Sequence, residues 1–212
     1  IPKLLDKATY IMPFFKKDAH KRFGFAAGQT MYTPKDIKNK NLILNDRPYA
    51  GYSFFSAGVV SESANRLDNF QVTIGIVGES SLADKTQMEV HKIVNAPKPK
   101  GWDNQLKDEP AFNVSYERKY RGIYESSPFG YGVDITPHIG VNLGNVDTSA
   151  SVGATIRLGH DLPSDYGPPL IRPALTGSDF FEPKDIFSWY AFAGIEGRGV
   201  VRNIFLDGNS FK

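Results

Sequence analysis

His91 is one of four histidines in 212 residues, and it stands in "VHKIVNAPKPKGWDNQLKDEP" ahead of three carboxylates, Asp103, Asp108 and Glu109. An imidazole with one nitrogen held by a carboxylate can take a proton from water at the other, so the grouping fits general-base hydrolysis. A histidine near a helix C-terminus gives the same letters, and there the helix dipole favours the protonated ring, the wrong form for a base. Both readings stay open on the residues alone. "NDRPYAGY" (45–52) is a second concentration of polar side chains. Asp46 and Arg47 can form a buried pair and Gly51 permits a close backbone approach, while a turn opening a strand accounts for the stretch equally. Lys35, Lys38 and Lys40 precede it, suited to an anionic head group or simply to solvent. Trp102, beside amides and acids, suits a membrane boundary or any protein surface. The sequence has no G-x-S-x-G, H-E-x-x-H, Walker or Rossmann glycine pattern. With no cysteine it has no disulfide, thiolate zinc site or cysteine nucleophile.

The elements that must position these residues are mainly strands. "AFNVSYERKY" (111–120) alternates Phe112, Val114 and Tyr116 with Asn113, Ser115 and Glu117, placing the apolar set on one face. Similar segments occupy about 22–32, 50–61, 69–78, 130–144, 149–160 and 187–205, giving seven long strands in all. Several approach the roughly 9–11 residues that a tilted membrane strand needs. Alternation alone leans toward a soluble sandwich, because barrel signals are weak per strand. One stretch, "SSLADKTQMEVHKIVNAPKP" (80–99), reads as a single helix with Ser81 at its cap, Asp84 three residues later, and Pro97 and Pro99 as its stop. Long loops follow at 33–48 and 161–186. The formal charge of +2, without a long block of one sign, offers no nucleic-acid footprint. No run of about 18 apolar residues is present, and the opening "IPKLLDKATY" lacks a signal-peptide pattern, reading as mature or truncated sequence.

Taken in order, "QTMYTP" (29–34), "NDRPYAGY", "VHKIVNAPKPKGWDNQLKDEP" (90–110), "LGNVDTSASVGATIRLG" (143–159), "GPPLIRP" (167–173) and "AFAGIEGRGVVRNIFLDGNSF" (191–211) resemble the outer-membrane lipid A 3'-O-deacylase family across nearly the whole chain. The resemblance implies an all-β, antiparallel barrel of 12 strands in the bacterial outer membrane, with about seven represented here together with one short helix. It implies calcium-dependent hydrolysis of an acyl ester of lipopolysaccharide, with His91 as the general base and Lys38 as the match to an active-site lysine. Arg47 and Trp102 are then the expected substrate contacts. The family's early Asn-Asp pair and site threonine are not found in residues 1–28, and its further strands after "LDGNSF" are not present. Residues 1–212 therefore read as one β-barrel domain, a fragment lacking N-terminal and C-terminal strands. Two other expectations compete: an inactive barrel of this family serving as a structural subunit with membrane-assembly partners, and a soluble β-sandwich binding module.

Overall fold

The computed structural model describes Phe15 and residues 19–125, 131–162, 165–166 and 188–210. The alternating stretches form one antiparallel sheet: β1 (His20–Tyr32), β2 (Ala50–Ser63), β3 (Arg66–Val77), β4 (Glu109–Tyr120), β5 (Gly122–Glu125), β6 (Tyr131–Gly144), β7 (Asp147–His160) and β8 (Trp189–Asn203). Spatial order follows the sequence, β1-β2-β3-β4-β6-β7-β8, with the short β5 continuing along β6 below β4. The β4 ladder on β6 ends at Lys119–His138 and β5 resumes at Gly122–Ile135. Pro137 lies in that gap, and proline has no N–H to donate to a ladder. All seven long strands expected from alternation are present, each 12 to 15 residues long. At about 3.4 Å per residue each is long enough to cross a bilayer at a tilt.

Which face is buried decides what kind of sheet this is. Register aligns Phe55 with Ile74 and Ile74 with Phe112, and aligns Ile139 with Val152 and Ile135 with Ile156. All of these are exposed. The alternate positions, among them Ser56, Gln71, Thr73, Asn113, Glu117, His138 and Arg157, are buried. Ser56 and Thr73 bond each other at 2.8 Å, and Arg157 donates through Nε to Asp134 at 2.9 and 3.0 Å. The wall is thus apolar outside and polar inside, the reverse of a soluble sandwich, and an apolar surface of this extent is stable against lipid rather than water. The lean toward a sandwich is overturned for that reason: periodicity reports two faces but not which one is inside. Among the described residues no helix is long and apolar enough to cross a membrane.

One rim of the sheet is closed by an apolar plug. Ala50, Tyr52, Val77 and Ala111 point inward at the strand ends and pack with Leu106, Val146, Ile204 and Phe205. The last two lie on a one-turn helix, Ile204–Asp207, which folds back after β8, and Phe205 stacks on Tyr32 at 3.9 Å between ring centroids. Asn203 caps it by accepting the Phe205 N–H at 3.0 Å. On this rim the β1–β2 loop (33–49) and the β3–β4 connection (78–108) meet. β1 and β8 form the two edges of the sheet, each paired on one side only among the described residues. The expected motif at 167–173, residues 1–14 and most of the 161–186 loop lie outside the described residues.

Candidate active site

The β3–β4 connection holds a helix, α1 (Ala83–Ile93), between two 3-10 turns at Glu79–Ser81 and Trp102–Asn104. It starts two residues after the expected cap, because Leu82, in a left-handed conformation at φ 58°, occupies the N-cap position and Ser81 makes only a long 3.4 Å bond to the Ala83 N–H. It ends before the prolines. Asn95 adopts φ 52°, and the Ala96 N–H reaches back to the His91 carbonyl at 2.8 Å. This is the left-handed C-terminal turn that Asn, after Gly, tolerates best. The turn folds the next residues over the helix, so that the Pro97 carbonyl sits 2.6 Å from His91 Nδ1. A carbonyl only accepts, so Nδ1 carries the hydrogen, and Nε2 is the nitrogen left with a lone pair whenever the ring is neutral. That is the tautomer a general base needs.

The partner of His91 is therefore a backbone carbonyl, not one of the three carboxylates. Asp103 is exposed. Asp108 accepts from the Ser80 N–H at 2.8 Å and from the Ser80 hydroxyl at 2.5 Å. Glu109 is taken by the Asn145 and Asn209 side chains and by Ser210, at 2.5 to 3.1 Å.

The position of α1 follows from what it docks on. Gly51 lies on the outward face of β2, and a Cβ there would stand 2.0 Å from Ser81 Oγ and 2.5 Å from Ala83 Cβ. The close approach expected at Gly51 is the docking of this helix. Gln29 and Ser53, paired on the outward face of β1 and β2, both donate to the Ser81 carbonyl, at 2.6 and 2.8 Å. Ala83 packs with Tyr49, Trp102 and Met31. Asp84, Gln87, Met88 and His91 are its half-buried positions, spaced as one helix face. So α1 lies against the outside of the barrel wall at the rim, with His91 on the side turned toward that wall.

Trp102 is only 7% exposed, which corrects its reading as a substrate contact or membrane-boundary residue. Its indole N–H donates to Gln87 at 2.8 Å and its ring meets Tyr49 at 5.0 Å, so it holds α1 in place. Gly101 is required beside it, since a Cβ would come within 2.5 Å of the Tyr49 ring. The neighbouring loop is tied in by Lys100 N–H to the Ile37 carbonyl, Tyr49 hydroxyl to the same carbonyl, and Asn104 to the Lys40 carbonyl, at 2.8 to 3.0 Å. Lys38 and Arg47 are both exposed on this loop. Asp46 does not form a buried pair with Arg47; it is exposed and accepts the N–H groups of Lys35 and Arg47, each at 2.7 Å. Among the described residues no three histidine, aspartate or glutamate side chains converge as metal ligands. They do not supply the acidic oxygen set that calcium usually draws on.

A wall that is apolar outside and polar inside, built of long antiparallel strands and carrying a loop helix at one rim, defines an outer-membrane β-barrel. The chain belongs to the family of outer membrane protein LpxR, whose family model matches residues 2–212. It is an outer-membrane protein. Among solved structures it is similar to LpxR from Salmonella typhimurium, with TM-score 0.77 and 18% identity over 90% of this chain and 66% of that one. The likeness is one of fold, and the chain spans somewhat less than two thirds of that protein's length. No curated protein matches the chain.

Proposed function

We propose that the chain carries the hydrolytic site of a lipid A 3'-O-deacylase-like enzyme, with His91 as the base. The observation that supports this reading most is the placement of a correctly tautomerised, half-buried imidazole on the outer face of a barrel rim, where a membrane lipid's ester can reach it. His91 Nε2 takes a proton from water, the hydroxide oxygen adds to the acyl carbonyl, and collapse of the tetrahedral adduct expels the sugar alkoxide, which takes up the proton. The fatty acid leaves with its chain still in the bilayer. Lys38 and Arg47, exposed on the adjoining loop, are suited to the phosphates of lipopolysaccharide, Arg47 by a two-pronged contact. Trp102 acts through Gln87 and α1, as a positioning residue.

The test is mass spectrometry of lipid A from cells expressing the full-length protein or its His91→Ala variant at equal level. We expect one acyl chain to be lost with the parent and retained with the variant, a rate loss of roughly 10²–10⁴-fold for removing a general base. Unchanged lipid A with both, the barrel being folded, would overturn the enzyme reading and favour a structural barrel. Chelation with EGTA in the same assay measures whether calcium is required.

A further inference from the structure

The hydrogen bonds and packing above use one side of α1 and leave another uncovered. Val90, Ile93 and Val94, spaced i, i+3 and i+4, are 46, 80 and 63% exposed. An unpartnered trio of β-branched residues on a loop helix is costly in water, since apolar surface is favoured in an apolar surrounding. Its surroundings identify what covers it. The helix docks on Gln29, Gly51 and Ser53, which are outward positions of β1 and β2, on the same face of the sheet as exposed Phe25 and Phe55. The lipid-facing band climbs to this rim: Ile74 lies three residues from the end of β3, Phe112 three from the start of β4, and Leu143 one from the end of β6, all exposed. At about 3.4 Å per residue, the band's edge is within roughly 10 Å of the strand ends where α1 sits. Lysines flank the trio: Lys85 on the helix, Lys92 on the helix beside Glu89 at 3.9 Å, and Lys98 and Lys100 after it, all exposed.

We infer that α1 is an interfacial helix, with Val90, Ile93 and Val94 in the acyl boundary of the membrane and Lys85, Lys92, Lys98 and Lys100 at the phosphate level of the same leaflet. The pattern is that of a short amphipathic helix with basic flanks, whose apolar face enters the head-group boundary. The occupant is an anionic lipid surface. This inference rests on the outer-membrane location and not on the deacylase reading, because it concerns where the helix lies and not what His91 does. Its consequence for the site is that lipid, and not only the protein scaffold, fixes the height of the helix that carries His91.

The absence of cysteine from the chain makes single-site labelling practical. In the full-length protein refolded into nanodiscs of phosphatidylcholine and phosphatidylglycerol, a polarity-sensitive fluorophore is placed at Ile93→Cys. The references are Phe112→Cys on the lipid-facing wall and Asp103→Cys on the exposed turn. We expect the Ile93 probe to be blue-shifted and quenched by nitroxide-bearing lipids to a degree close to the Phe112 probe, several-fold more than the Asp103 probe, and to be shielded from iodide. A probe at Ile93 that iodide reaches as readily as at Asp103 would overturn the inference by placing the face in water. A blue-shifted probe that neither quencher reaches would also overturn it, by placing the face under another part of the protein. Fluorescence reports depth whether or not the barrel cleaves anything, so failure of the inference and failure of the enzyme reading are separate results.

Discussion

The base role proposed for His91 depends on atoms that are not side chains. Its Nδ1 hydrogen goes to the Pro97 carbonyl, a partner no pattern of residue types can announce, which is why sequence reasoning looks to Asp103, Asp108 and Glu109 and finds each engaged elsewhere or exposed. The close approach at Gly51, by contrast, is one of the two readings the sequence allows, and the helix docked over β2 at that residue is what selects it over a simple turn. Gly51→Ala puts a methyl group inside the space of Ser81 Oγ and Ala83 Cβ, so it should displace α1 while leaving the sheet intact. If the proposed deacylation is this chain's activity, the expected result is its loss with unchanged folded-barrel mobility on unheated gels. Asp46 makes a prediction with a pH sign. The Lys35 N–H, then the Arg47 N–H, hold its carboxyl below the ordinary value of 3.8. A folded-state pKa lowered in this way stabilises the loop above the unfolded value and ceases to do so as pH falls through the folded one. Asp46→Asn should therefore make the 33–49 loop more sensitive to limited proteolysis at neutral pH, and the difference from the parent should vanish in acid below the aspartate range.

At the scale of elements, long strands are legible and helix ends are not. Twelve to fifteen residues of alternation give repeated evidence for one period, whereas β5, four residues long, gives too little. The helix is found, but its limits are misplaced because single left-handed residues, Leu82 and Asn95, set them and not the Ser81 and Pro97 signals. Asn95 is the more consequential of the two, since the turn it makes brings Pro97 back over His91. A β-branched side chain there meets its own carbonyl, at a cost of about 1–2 kcal/mol in the left-handed region. Asn95→Val should lengthen or fray the end of α1, free the imidazole to choose either tautomer, and lower turnover. Asn95→Gly, which accepts φ 52° without strain, should retain activity close to the parent. Measuring both separates a requirement for the turn from one for the asparagine side chain, as a loss in both variants would point to the side chain instead.

For the whole molecule, the question that alternation leaves open is which face is inside, and neighbouring residues on β7 can answer it in solution. Val152 is exposed on the outer wall, paired with Ile139. Ser151, one residue before it, turns inward and lines a cavity of about 180 Å³ with Asn142, Glu196 and Arg198. If the wall faces lipid, Val152→Arg places a guanidinium among acyl chains near mid-strand and should cost about 2–4 kcal/mol of folding free energy in a bilayer. Ser151→Arg, able to extend among the carboxylates and amides of the lumen, should cost less. In a water-soluble sheet with the same register the order reverses, because an arginine on an exposed face is nearly neutral and one forced toward the interior is not. Urea unfolding of the two variants in lipid vesicles, read by tryptophan fluorescence, measures that order. The mechanism proposed for His91 needs the first outcome, since an imidazole on the outer wall meets a lipid ester only if that wall stands in the membrane.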